Sequence, residues 1–148
     1  MDHRTPDAVL PEDELLYRSI AASDVIGADV QPSAVELPQC SFNRARYCTG
    51  AESVLTASRP EDTGVVSITR GTLPGQVPRL PPSTGKPYEF VALDDPHPPE
   101  DPDNAAHAEV RLKPEGDEFN SNHKVKKEIL AKATNELARR LKIVKAPR

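Results

Sequence analysis

Sixteen of the 148 residues are proline, about twice the ordinary frequency. Each fixes φ and lacks an amide hydrogen, so regular structure is confined to the short stretches between them. The segment 71–87 alone holds five prolines and three glycines, which predicts a long loop. Its Arg79-Leu80-Pro81-Pro82 stretch, with Pro78 and Pro81 at polyproline spacing, is read as plain loop before it is read as a ligand for a partner. Residues 117–146 are the opposite case, free of both Gly and Pro. There Val125, Ile129, Ala133, Leu137 and Leu141 recur every four residues, widened by Leu130, Ala138 and Val144. That periodicity predicts one amphipathic helix of about six turns over Lys124–Val144.

The rest of the chain reads as a small α+β domain. Residues 1–13, polar and broken by Pro6 and Pro11, are assigned to a leader, with order starting at Glu14. Leu15–Ile20 is read as a strand, and Val30–Leu37, flanked by Pro32 and Pro38, as a marginal edge strand. Thr49 and Glu52 have capping-box spacing, predicting a short helix that runs through Ala57. Gly64–Thr69, rich in β-branched residues, is expected as a central strand. Tyr88–Leu93 and Ala105–Leu112 make a wide hairpin around an acidic, proline-rich turn. The expectation is a mixed or antiparallel sheet of three to five strands in residues 14–116. One short helix accompanies it, and the long C-terminal basic amphipathic helix in 117–146 closes the fold.

Charge is strongly asymmetric. Residues 1–121 carry 10 basic and 21 acidic side chains, whereas residues 122–148 carry 9 and 2. Lys124, Lys126, Lys127, Lys132, Arg139, Arg140, Lys142 and Lys145 surround an apolar stripe that the domain itself or a partner must cover. Packing on the domain, with the cations offsetting the acidic body, is weighed against a basic surface that meets an acidic protein partner. Nucleic acid is the other candidate, held through its phosphates, because no aromatic residue follows Phe119 to stack on bases. A membrane-surface role ranks last, lacking Trp or Phe on the apolar face. No apolar run approaches 18 residues and no export signal opens the chain, so a cytoplasmic location is expected. Cys40 and Cys48 are then thiols, and neither they nor His3, His97, His107 and His123 have zinc-ligand spacing. No cofactor or metal is expected.

The order of several short pieces resembles a family of small uncharacterised bacterial proteins. The pieces are Leu16-Tyr17-Arg18-Ser19-Ile20, Ser33-Ala34-Val35, Ser41-Phe42-Asn43-Arg44, Gly64-Val65-Val66-Ser67-Ile68-Thr69, Asp95-Pro96-His97-Pro98 and Asn104-Ala105-Ala106-His107-Ala108-Glu109-Val110. The resemblance spans residues 14–112 and implies a bacterial origin and one α+β domain, with the basic helix as an addition.

Nothing in the chain matches a phosphate loop, a dinucleotide fingerprint or a nucleophile elbow. The acidic run of Asp94, Asp95, Glu100, Asp101 and Asp103 lacks the glycine that a calcium loop needs, and reads as a solvated turn. His107 and Glu109, two apart on a strand, share a face on which a base and its orienting carboxylate would sit. Arg18, Ser33 or Ser67, and Glu109 follow the chain order of an ADP-ribosyltransferase-like site. Two readings result. The first is a non-catalytic binding or accessory protein working through Lys124, Lys127, Lys132, Arg139 and Arg140. The second is a small enzyme acting on a nucleotide or nucleic acid with Arg18, His107 and Glu109. The second requires those three side chains to converge in one cleft.

Overall fold

The computed structural model describes residues 8–77, 86–94, 106–120 and 122–148. The proline-rich Pro78–Pro82 stretch and most of the acidic turn, from Asp95 to Asn104, lie outside the described residues. Within them the chain forms β1 (Leu15–Ala21), β2 (Val25–Ile26), β3 (Asp29–Val30), β4 (Gln39–Arg44), β5 (Asp62–Thr69), β6 (Tyr88–Asp94), β7 (His107–Pro114), α1 (Lys127–Arg140) and β8 (Lys142–Lys145). Six strands make one antiparallel sheet in the order β6-β7-β4-β1-β5-β8, and β2 pairs with β3 in a small hairpin. The α+β expectation holds, with more strands than the sequence predicts.

Register explains which face became the core. Leu16 pairs with Arg44 and with Ile68, Phe42 with Ala108, Cys40 with Val110, and Phe90 with Leu112. Successive side chains alternate across a strand, so these residues share one face. Leu16, Phe42, Ala108, Val110 and Leu112 are all almost fully buried there. The helix α1 covers this face with Ile129, Ala133, Leu137 and Ala138. Its first half joins Val77, Tyr88 and Leu112 in one cluster. Its second half and Leu141 join Leu16, Ile20, Phe42 and Val66 in another. Burying a residue such as Leu137 contributes about 1.5–3 kcal/mol.

Several expectations are corrected. The C-terminal helix has 14 residues rather than about six turns. Asp117, Asn120 and Asn122 bond their own backbone neighbourhood too readily to start a helix, and the Asn120 side chain accepts from the Asn122 amide. At the other end, Ile143 and Val144 are β-branched and leave the helix to pair as β8 with β5. The predicted strand over Val30–Leu37 is only Asp29–Val30, because Pro32 opens a single 3₁₀ turn, Pro32–Ala34. The predicted helix after Thr49 is likewise one 3₁₀ turn, Ala51–Val54, capped by no side chain. The strand β4 falls in a segment for which no strand is expected. Order also begins before Glu14: the Leu10 amide donates to the Ala92 carbonyl at 3.0 Å and the Asp94 amide to Ala8 at 2.9 Å, with Leu10 buried.

Both sheet edges are thereby protected. Residues 8–10 and Val77 pair along the outside of β6. The outer strand β8 is four residues long, irregular in register against β5, and bounded by Lys142 and Lys145. Short length, a bulge and lysines all discourage a further strand from adding.

Candidate functional site

The three side chains considered for catalysis do not meet. Arg18 sits on β1 between Leu16 and Ile20, on the face that α1 covers. Its Nε donates to the Ala34 carbonyl at 2.6 Å and its Nη1 to the Ser41 carbonyl at 2.9 Å. The guanidinium therefore ties the Pro32–Ala34 turn and β4 to β1 with two of its five N–H donors. His107 pairs with Asn43 and Glu109 with Ser41, which puts both on the opposite face of the sheet. They share that face as the two-residue spacing requires, yet they take different partners. His107 Nε2 lies 3.1 Å from Ser41 Oγ, while Glu109 accepts from Arg111 Nε at 2.8 Å. The sheet itself separates Arg18 from the other two. Ser33, on the same turn as Ala34, bonds Asp24 at 2.7 Å, and Ser67 is buried in β5.

A buried ionic cluster is the polar centre that sequence reading missed. Arg44, at the end of β4, has its guanidinium 2.6 Å from Glu14 Oε1 and 3.2 Å from Asp94 Oδ1. All three side chains are at most 8% exposed. Arg44 also lies over the Tyr47 ring, 5.0 Å from its centroid, and its Nε has no hydrogen-bond partner among the described residues. Burial alone would lower the Arg44 pKa, but its hydrogen bonds to Glu14 and Asp94 outweigh that and hold it above the usual value. The backbone reinforces the junction, since the Arg44 amide donates to the Ala106 carbonyl at 2.8 Å. Arg44 thus joins the segment preceding β1, the end of β6 and the start of β7. The available signal was the row Cys40, Phe42, Arg44, whose two-residue spacing carries an apolar face into a cation.

The basic surface of the C-terminal region is arranged differently. With its apolar stripe seated on the domain, α1 presents Lys127, Lys132, Arg139 and Arg140 to solvent, and Lys124 is exposed just before it. Arg140 Nη1 donates to the Thr72 carbonyl at 3.2 Å and Lys145 reaches Glu52 at 3.1 Å. Lys124, Lys127, Lys132 and Arg139 make no ion pair among the described residues. Glu128 and Glu136 are the acidic side chains on the helix, so the face is basic in net charge.

Cys40 and Cys48 are free thiols, and burial raises the pKa of both. Among the described residues no group of three His, Cys, Asp or Glu could hold a metal ion, and no helix is long and apolar enough to cross a membrane. No family model, curated protein or solved structure matches this chain.

Proposed function

We propose that this is a binding or accessory protein of a bacterial system that works through protein contacts, its basic α1 face meeting an acidic surface on a partner. The observation that carries this reading is the division of labour on α1. Its buried apolar residues pack inside the domain, while Lys124, Lys127, Lys132 and Arg139 stand exposed and make no ion pair among the described residues. Such a surface steers an oppositely charged partner and fixes its register more than it adds raw affinity. The rival reading, a small nucleotide-directed enzyme using Arg18, His107 and Glu109, lacks a shared cleft for the three and has Arg18 committed to two carbonyl groups. Residence in the cytoplasm belongs to the same proposal.

Fluorescence anisotropy with a labelled polyglutamate peptide and a labelled DNA duplex, each titrated with the full chain over a salt series, tests the proposal. The expected result is saturable binding of the peptide that weakens as salt rises and is lost in the K127E/K132E/R139E variant. Absence of peptide binding, or binding untouched by the charge reversals, overturns the reading. Tighter binding of the duplex with a steep salt slope replaces the protein partner with nucleic acid.

A further inference from the structure

A cleft of about 270 Å³ opens between the end of β7 and the segment that precedes α1, where Pro38, Leu112, Pro114, Phe119, His123 and Val125 line it. Its volume is just under the roughly 300–1,000 Å³ of drug-sized sites, which suits a single-ring ligand. The apolar walls come from rigid parts: Leu112 is buried in β7, and two of the other lining residues are prolines. Phe119 is held from one side by Arg111, whose guanidinium lies 5.1 Å from the ring centroid.

The polar groups at the cleft are set by their partners. Tyr88 is 1% exposed, and its hydroxyl lies 2.7 Å from His123 Nε2. The buried phenol anchors the imidazole through that nitrogen, and Nδ1 makes no hydrogen bond among the described residues. When Nε2–H donates to the Tyr88 oxygen, Nδ1 presents a lone pair to an incoming donor. Charges at the rim nearly cancel in pairs. Lys113 is held by Glu89 at 2.5 Å, and Lys86 by Asp117 at 2.6 Å. Glu118, exposed and lining the cleft, makes no ion pair among the described residues. The remaining charge is negative.

We infer that this cleft binds a small arylalkyl ammonium ion, its ring between the prolines and Phe119 and its nitrogen donating to His123 Nδ1 or Glu118. The site is separate from the basic face of α1, and it selects for a cation where that face selects for an anion.

The probes are tyramine and 4-hydroxyphenylacetate, which share a ring and a hydroxyl and differ in the charge at the chain end. Amide chemical shifts of the isotopically labelled full chain are followed as each is added to millimolar concentration. The expected result is saturable movement of amides in 112–125 with tyramine, and none with the carboxylate. Replacing Glu118→Gln, an exposed position whose change leaves the fold intact, weakens tyramine about 2- to 10-fold, as the loss of one charge-assisted contact would. His123→Ala has the same direction. Failure of tyramine to move these amides overturns the inference. So does equal binding of both probes, or an E118Q/H123A double variant that binds as the parent does.

Discussion

Replacing Arg44 with Met isolates what the buried ionic cluster does. The guanidinium is the one buried cation among the described residues, and it serves two carboxylates, Glu14 and Asp94, that are 4% and 3% exposed. Removing it leaves both acids in a medium of low polarity. Arg46 lies 4.0 Å from Glu14 but is 61% exposed and makes no such approach to Asp94, so it compensates little. Breaking a buried pair by deleting one partner costs about 3–5 kcal/mol, because the surviving charge is uncompensated. Glu14 and Asp94 both lose a close cation, so a loss within that range is expected. With a urea dependence of about 1–3 kcal/mol per molar, the midpoint falls by roughly 2 M. Removing the whole cluster in E14Q/R44M/D94N takes away the carboxylate charges together with their shared cation, and this variant recovers most of the loss even though it carries more substitutions. Urea unfolding followed by circular dichroism, on the parent, R44M and the triple variant, reads both effects. The reasoning is refuted if R44M costs under about 1 kcal/mol, the level of an ordinary exposed pair. It is refuted equally if the triple variant is no more stable than R44M, since the loss would then come from packing rather than charge.

Three further outcomes follow from the same structure. The hydrogen bond from Lys113 holds the Glu89 pKa below its ordinary value, against a smaller opposing effect of burial. A carboxylate with a depressed folded pKa stabilises above its unfolded pKa of about 4.3 and loses that contribution as pH falls through the folded value. Glu89→Gln is therefore expected to cost up to about 1 kcal/mol at neutral pH, after discounting for solvent screening, and to be nearly silent in strong acid; equal costs at the two pH values would contradict the pairing. A Cβ on Gly64 would lie 2.7 Å from the Pro147 nitrogen and 2.9 Å from the Lys145 carbonyl oxygen. Gly64→Ala should push the end of β8 off β5 at a cost of about 1–3 kcal/mol, seen as faster hydrogen exchange at residues 142–145. In thiol labelling of the native protein, Cys48, only partly buried, should react well before the buried Cys40, and simultaneous reaction of both would contradict the packing of β4.

How far the sequence could be read depended on whether its local periodicity had a single interpretation. The strand β5 was legible because Val65, Val66, Ile68 and Thr69 are β-branched and bounded by turn residues. The strand β7 was legible because Ala108, Val110 and Leu112 alternate in burial with Glu109, Arg111 and Lys113 as they do in polarity. The core stripe of α1 was legible too, but not its ends. Leu141 continues a helical repeat to Val144 and equally begins a two-residue alternation with Ile143, and the β-branched side chains of Ile143 and Val144 only tilt the balance toward a strand. The decision is tertiary: the outer edge of β5 needed a partner, and a continued helix would have left its amides and carbonyls unpaired. For β4 the pattern misled, because the alternation is complete only when a cation counts as a core residue. Arg44 qualifies through Glu14 and Asp94, which are distant in sequence.

The same distinction separates the two arginines in which chemistry was sought. Arg18 stands out in the sequence as a cation within an apolar strand, a pattern compatible with a phosphate ligand. The fold uses it on main-chain carbonyls: Ala34 belongs to a turn, and Ser41 lies in β4 outside the register that pairs β4 with β1. Arg44 performs the corresponding task for two carboxylates. In both cases a charged side chain inside the domain closes a gap in the hydrogen bonding of short, proline-interrupted elements. A chain with so many prolines forms fewer backbone bonds than its length would allow, and its interior arginines supply donors in their place. Lys127, Lys132 and Arg139 are exposed on α1, whose backbone bonds are satisfied within the helix itself, and they make no ion pair among the described residues.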